Sequence, residues 1–186
     1  MRRWGLVALV AVAVLAVGAA VALRARPVRT PPSNPYDGLR AVALHTRPED
    51  VGVRGGQDRP IAYGVVMDVG VRRGVATVAG FASGDASLYL STGAVIGGQG
   101  RNDARRAATD WVAMAQGDLA PLKPAADFRK PDADSARFYV LTTRGVMVGD
   151  GSIRSLDSGA SPLSPLWNAG QNVLAALRPS AGRPAD

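Results

Sequence analysis

The fold is decided by the stretch VATVAGFASGDASLYLSTGAVIGGQGRNDARRAATDWVAMA, residues 75–115, in which two strand-like segments, a glycine-rich loop and a helix follow one another. Residues 86–91 alternate apolar and polar side chains, which is the period of a strand with one face on a core. After Asn102, apolar side chains including Trp111 and Val112 recur at spacings of three and four, which predicts an amphipathic helix with Asn102 as its N-cap.

Four further segments carry strand patterns. Residues 61–69 and 75–82 are apolar runs joined by a short loop with a glycine at each end, which predicts a hairpin. Residues 137–143 form another strand pattern, and a turn at Arg144 and Gly145 leads from it into residues 146–148. Together with the strand described above, these segments predict an antiparallel sheet of about five strands.

Helix signals lie before, between and after these strands. A short helix is predicted after Asp37, and a last helix is predicted from Ser164, as its N-cap, through Leu177. Residues 118–136 contain three prolines and little periodicity, so we expect them to cross the surface as a loop. Helices packed on an antiparallel sheet define the α+β class.

Residues 4–23 form an uncharged apolar run. At 1.5 Å per residue, a helix of this length spans the roughly 30 Å hydrocarbon layer of a membrane. We therefore expect an N-terminal transmembrane anchor at residues 1–23 that makes the membrane one partner of the chain. A cleaved signal peptide is the main alternative, because Arg2 and Arg3 form a basic start and residues 20–22 are small. A third interpretation of this run is a buried helix of a soluble protein.

Three further regions complete the predicted organisation. Residues 24–35 are rich in proline and arginine, which predicts an extended linker. Residues 36–178 form a single predicted α+β domain. Residues 179–186 carry no pattern and are predicted to be a disordered tail. Because short basic N-termini usually stay in the cytoplasm, we expect the domain on the outer side of a bacterial inner membrane.

Charge and composition exclude several classes of function. The net charge of the chain is +7, but five arginines flank the apolar run, and beyond residue 30 there are 17 basic against 15 acidic residues. No nucleic-acid partner is therefore expected. The chain has no cysteine and one histidine, His45, so neither a thiolate site nor a zinc or iron site is expected. We expect no cofactor.

The glycine-rich loop before Asn102 is the most suggestive feature for ligand binding. Free amides at a helix N-terminus bind anions, and an arginine beside them adds a charge-assisted hydrogen bond. The candidate ligand-binding residues are Ser91, Thr92, Gly97, Gly98, Gln99 and Arg101. The loop lacks the Lys-Ser/Thr pair of a P-loop, so glycines that simply turn the chain from strand to helix remain the competing interpretation.

A hydrolase is a further alternative. Ser91 or Thr92 at a strand end would be the nucleophile, with His45 and either Asp68 or Asp85 completing a triad. No Gly-x-Ser-x-Gly elbow occurs in the sequence, and no spacing places these residues together. No catalytic residue is therefore assigned.

Two motifs carry a resemblance to other proteins. Residues 87–93, SLYLSTG, are followed by Ile96, Gly97 and Gly98, and residues 161–166 read SPLSPL. With these motifs the chain resembles a group of uncharacterised bacterial proteins over most of residues 36–178. The resemblance implies a single folded domain and no particular chemistry.

These observations predict a membrane-tethered, non-catalytic domain that binds or assembles with a protein partner. The alternative is a sensor of a small ligand or anion that uses the glycine-rich loop. A serine or threonine hydrolase is the third hypothesis.

Overall fold

A seven-stranded sheet runs through the part of the chain that the computed structural model describes, residues 34–54 and 59–178. The strands are β1 (Ala62–Val71), β2 (Gly74–Phe81), β3 (Ala86–Leu90), β4 (Val95–Gly97), β5 (Lys123–Pro124), β6 (Ser135–Thr142) and β7 (Gly145–Ser152). The helices are α1 (Tyr36–Leu44), α2 (Asn102–Gly117), α3 (Ile153–Asp157) and α4 (Ser164–Leu177), with a 3-10 turn at Pro48–Val51.

The strands follow the spatial order β4-β3-β2-β1-β6-β7-β5, and every neighbouring pair is antiparallel. The predicted α+β class is therefore confirmed, and the predicted number of about five strands is wrong. The two additional strands, β4 and β5, are the edges of the sheet and have three and two residues. Segments this short show no period of their own, and they become strands only because a neighbouring strand offers hydrogen bonds.

One face of the sheet carries the larger core, which is covered by α2 and α4. Trp111 of α2 is fully buried in it, and its indole N–H donates to the Leu166 carbonyl oxygen at 2.9 Å. Two glycines make room for this ring: a Cβ at Gly80 would lie 3.0 Å from Trp111 Cε3, and a Cβ at Gly170 would lie 2.8 Å from Trp111 Cζ2. The close approach of both helices to the sheet depends on these missing side chains.

The opposite face carries a smaller core under α1. The buried residues of α1 are Tyr36, Arg40, Ala43 and Leu44. Val42 of the same helix, in contrast, is 68% exposed. The buried stripe of α1 includes an arginine because a buried carboxylate, that of Asp68, lies beneath it.

Several helix ends differ from the predictions. Arg101, not Asn102, is the N-cap of α2, and Leu163, not Ser164, is the N-cap of α4. Residues 153–157, for which no helix was predicted, form α3, where the Ser152 side chain accepts a hydrogen bond from the Ser155 amide. Side-chain capping thus supports α3.

The predicted anchor at residues 1–23, most of the predicted linker at residues 24–35 and the predicted tail at residues 179–186 lie outside the described residues. Among the helices of residues 34–54 and 59–178, none has the length and apolar character needed to span a membrane. The transmembrane helix therefore stays a prediction from the sequence.

Candidate functional site

Among residues 34–54 and 59–178, no strand pairs with the outer side of the edge strand β4. The Ala94 carbonyl oxygen accepts from the Leu90 amide at 2.8 Å, and the Gly98 amide donates to the Ala86 carbonyl oxygen at 2.9 Å. In an antiparallel pair, successive residues direct these groups alternately toward and away from the neighbouring strand. The N–H and C=O groups of Val95 and Gly97 therefore point away from the sheet.

One apolar side chain, that of Val95, is exposed at this edge. Val95 lies opposite Tyr89 of β3 and is 48% exposed. Ile96 points to the other face, where it packs against the core under α2 and α4. Beside Val95, a Cβ added to Gly97 would have no atom within 4 Å, so the space above Gly97 is open.

The two edges of the sheet differ in their protection. At the β5 edge stand Lys123, which is charged, and Pro124, which lacks a backbone N–H. At the β4 edge, residues 92–100 contain neither a charged residue nor a proline. Charges, prolines and a very short edge strand all oppose pairing with a further strand. Of these, β4 has only its short length of three residues.

The predicted ligand-binding residue Ser91 has a structural role at the end of β3. Its hydroxyl accepts a hydrogen bond from the Val75 amide at 2.9 Å, and its carbonyl oxygen accepts one from the Asn34 side chain at 2.6 Å. Ser91 thereby joins the start of β2 to the residues before α1. Thr92 and Gln99 are exposed on either side of β4.

The structure brings Gly98 and Arg101 to the start of α2. Gly98 is buried, and a Cβ there would lie 3.0 Å from the side chains of both Ala104 and Leu177. The Arg101 guanidinium donates to the Arg178 carbonyl oxygen at 3.1 Å and forms an ion pair of 3.3 Å with Asp103. Arg101 thus contacts the carboxyl end of α4, where a positive charge is favourable. The anion site stays a prediction.

The residues considered for a catalytic triad have other partners. His45 follows the end of α1, where its ring nitrogen lies 2.8 Å from the Ala41 carbonyl oxygen. Ser91 is bonded to Asn34 before the start of the same helix, and nine helical residues correspond to about 13 Å. The Asp85 carboxylate accepts from the Ser83 hydroxyl at 2.6 Å. These contacts do not assemble a nucleophile with a base.

A buried polar network lies between α1 and the sheet. The Arg40 Nε donates to Asp68 at 2.8 Å, and the other Asp68 oxygen accepts from the Thr77 hydroxyl at 2.5 Å. The Tyr36 hydroxyl lies 2.8 Å from the Thr77 hydroxyl. Burial is the largest influence on Tyr36 and raises the pKa of its phenol above the ordinary value. This network holds α1 on the sheet.

An open cleft of about 370 Å³ lies beside β6 and β7. Its innermost charge is Arg137, which donates to Asp150 at 2.8 Å and to Asp127 at 3.3 Å. The same guanidinium donates to the Tyr139 hydroxyl at 2.8 Å. Carboxylates of the chain itself therefore already pair with the charge of Arg137.

Comparison with protein-family models, with curated proteins and with solved structures found no match for the chain. In the described ranges, no group of three or more His, Asp or Glu side chains is placed to hold a metal ion. The β4 edge is therefore the candidate functional site. Val95 was not among the predicted site residues, although the uncharged run between Gly93 and Gly97 was a usable signal.

Proposed function

We propose that the chain is a membrane-tethered module that binds a partner protein through β4 and performs no catalysis of its own. The single observation that carries this proposal is an edge without a charge or a proline: Val95 and Gly97 direct their N–H and C=O groups outward, and the Val95 side chain is exposed. Such an edge pairs readily with another chain. Proteins that use it for recognition bind extended segments of their partners.

The contrast between the two sheet edges supports the proposal. A protein that needs no strand partner gains by blocking both edges, because open edges cause aggregation. Here the β5 edge has a proline and a lysine, and the β4 edge has an exposed valine and glycine instead. An edge left open on one side of the sheet is consistent with use as a binding surface.

The attachment of the domain supports the tethered arrangement. The predicted anchor and linker, residues 1–35, lead directly into α1. The first described residues are bound to the sheet by Asn34 to Ser91 and by Arg40 to Asp68. The predicted linker would therefore end at a helix that is fixed to the sheet.

Site-specific photo-crosslinking tests the proposal. A photoreactive amino acid is placed at Val95 of the full chain in bacterial membranes, and a matched probe is placed at Asn172, an exposed residue of α4. We expect a defined protein adduct from position 95 and none from position 172. No adduct from position 95, or the same adducts from both positions, would contradict the proposal.

Thiol labelling tests the predicted location. Because the chain has no cysteine, a cysteine introduced at the exposed Thr92 is its only thiol. In intact spheroplasts, a membrane-impermeant maleimide should label this residue if the domain lies outside the cytoplasm. Labelling that occurs only after lysis would place the domain inside.

A further inference from the structure

We infer that α1 and the segment 126–133, the strap, open and close as one unit over the smaller core, so that α1 controls one wall of the cleft beside β6 and β7. This inference involves no residue of β4 and is independent of the proposed function. It follows from the contacts that join the strap to α1 and from how little holds either element in place by itself.

The strap is fixed to the sheet just outside its two ends. The Ala125 amide donates to the Val146 carbonyl oxygen at 2.9 Å, and the Asp134 amide donates to the Gly70 carbonyl oxygen at 3.1 Å. Residues 126–133 themselves contain no helix or strand, and most of their side chains are exposed. A segment with few buried side chains and no backbone ladder has little local stability of its own.

Side chains of α1 bind the middle of the strap. The Arg40 guanidinium donates to the Phe128 carbonyl oxygen at 2.9 Å and to the Arg129 carbonyl oxygen at 3.4 Å. The Lys130 ammonium donates to the Asp37 carboxylate at 2.6 Å. Three consecutive residues of the strap are therefore bonded to α1.

Aromatic rings add a second kind of contact. The Phe128 ring lies edge-on to the ring of His45, which follows α1, with 5.4 Å between the ring centres. On its other side the Phe128 ring lies 5.6 Å from the ring of Tyr139 in β6. Phe128 thus packs between the end of α1 and the sheet.

The helix α1 in turn depends on its neighbours. It has nine residues, and a helix of this length is only marginally stable in water without packing. Arg40 binds both Asp68 of the sheet and the strap. When α1 leaves, the strap loses these bonds, and when the strap leaves, a buried arginine loses two acceptors, which is costly. The two elements therefore open together.

Opening of this unit would change the cleft and leave most of the sheet in place. Residues 129–132 of the strap line one side of the cleft, and Arg137 and Asp150 are among the residues on the other. The opposite face of the sheet stays packed against α2 and α4 through the larger core. The unit is thus a hinged cover on a sheet that is held from its other face.

Limited proteolysis with trypsin reports the opening of the strap. The carbonyl group at which trypsin would cut, that of Arg129, accepts a hydrogen bond from the Tyr139 hydroxyl at 2.6 Å. Cleavage therefore requires that the strap leave the sheet. At low trypsin concentration the cleavage rate follows the population of the open form.

The decisive variant is Tyr36→Phe, which removes the hydroxyl contact of α1 with Thr77 and keeps the ring beside Lys130. The matched control is Tyr89→Phe, whose lost hydroxyl contact is with Ser87 of the same strand. Tyr36→Phe should raise the rate of cleavage after Arg129 about fivefold, because α1 is held less firmly. Tyr89→Phe should leave this rate unchanged. An unchanged rate in Tyr36→Phe would overturn the inference.

Cleavage after Arg137, which is buried in β6, distinguishes this opening from global unfolding. Both rates are measured by mass spectrometry on the detergent-solubilised full chain, each relative to the rate in an unstructured peptide of the same local sequence. Cleavage after Arg129 should be the faster of the two. Equal relative rates at Arg129 and Arg137 would show that the strap opens only with the whole domain and would overturn the inference.

Hydrogen exchange tests the coupling in the reverse direction. Phe128→Ala removes the ring between α1 and the sheet, and Arg129→Ala is the control, because its side chain is 67% exposed and pairs with Asp127 of the strap. Phe128→Ala should speed the exchange of α1 amides about tenfold and leave α2 unchanged, whereas Arg129→Ala should change neither helix. Faster exchange in the strap alone, or equally in α1 and α2, would overturn the inference.

Discussion

Arg40 of α1 and Asp68 of β1 form a buried ion pair, with Arg40 7% exposed and Asp68 fully buried. The Arg40 guanidinium also donates to the Phe128 carbonyl oxygen at 2.9 Å, so one side chain joins α1, the sheet and the loop before β6. The ion pair adds little net stability, but α1 can pack on this face of the sheet only when both charges are present. Each charge is tolerated in the interior only while the other is present.

Replacement of one partner should therefore be costly. Arg40→Met leaves Asp68 buried without its cation and should lower the free energy of unfolding by about 3–5 kcal/mol. Urea denaturation followed by tryptophan fluorescence measures this change. Arg106→Met, at an exposed position of α2, is the matched control and should change stability by less than about 0.5 kcal/mol. In the double variant Arg40→Met, Asp68→Asn, the loss should be smaller than the sum of the two single losses.

Gly170 of α4 should not tolerate even a methyl group. A Cβ there would lie 2.8 Å from Trp111 Cζ2 and 3.1 Å from Met67, both of which are fully buried. Gly170→Ala should thus destabilise the domain by about 1–3 kcal/mol through overpacking. Gly117→Ala is the control, because nothing lies within 4 Å of its added Cβ and it ends α2. Gly117→Ala should leave the free energy of unfolding unchanged or raise it by up to about 1 kcal/mol. Equal effects of the two substitutions in thermal or urea unfolding would contradict the packing argument.

The buried tyrosines predict a loss of stability in alkaline solution. Burial raises the pKa of Tyr36 and Tyr139 above the ordinary value of 10.0. The unfolded chain then loses these protons at lower pH than the folded protein, so the stability is fully present below pH 10 and declines above it. Unfolding measured between pH 8 and 11 checks this sign. Tyr36→Phe should cost about 1 kcal/mol at pH 8 through the lost hydrogen bond to Thr77, and its stability should fall less steeply above pH 10. An equally steep decline in the variant would show that Tyr36 does not contribute.

Arg101 distinguishes a structural role from the predicted anion site. Its contacts with Asp103 and with the carbonyl oxygens at the end of α4 predict that Arg101→Ala lowers stability by about 0.5–1 kcal/mol, with or without inorganic phosphate. Thermal unfolding in both buffers measures this. Phosphate that stabilises the wild type and has no effect on the variant would instead support the anion site at the glycine-rich loop.

The long elements were predictable because their signals are local. The apolar runs of β1 and β2, the alternation in β3 and β6, and the apolar stripes of α2 and α4 each come from a few consecutive residues. The edge strands β4 and β5 were missed because their two or three residues show no repeat. The order of the strands, in which β1 pairs with both β2 and β6, also has no local signal.

The residues of the candidate site were likewise only partly predictable from the sequence. The predicted ligand-binding residues lie in and around the glycine-rich loop. The structure places Gly97 and Gly98 at the edge strand, and Arg101 contacts the carboxyl end of α4. Val95 had no chemical signature, because its importance lies in backbone groups that no other strand of the described sheet covers. Exposure of an edge is a property of the assembled sheet.

By itself, the sequence determined the α+β class, the long strands, the main helices and the uncharged character of residues 92–100. Only the tertiary structure decided that Arg40 is buried over Asp68, 28 residues away, and that Arg101 contacts the end of α4, 77 residues away at Arg178. The physical reason is the distance along the chain over which each kind of interaction acts. Periodicity and capping act over a few residues, whereas the pairing of buried charges and the exposure of a sheet edge depend on segments that meet only when the chain has folded.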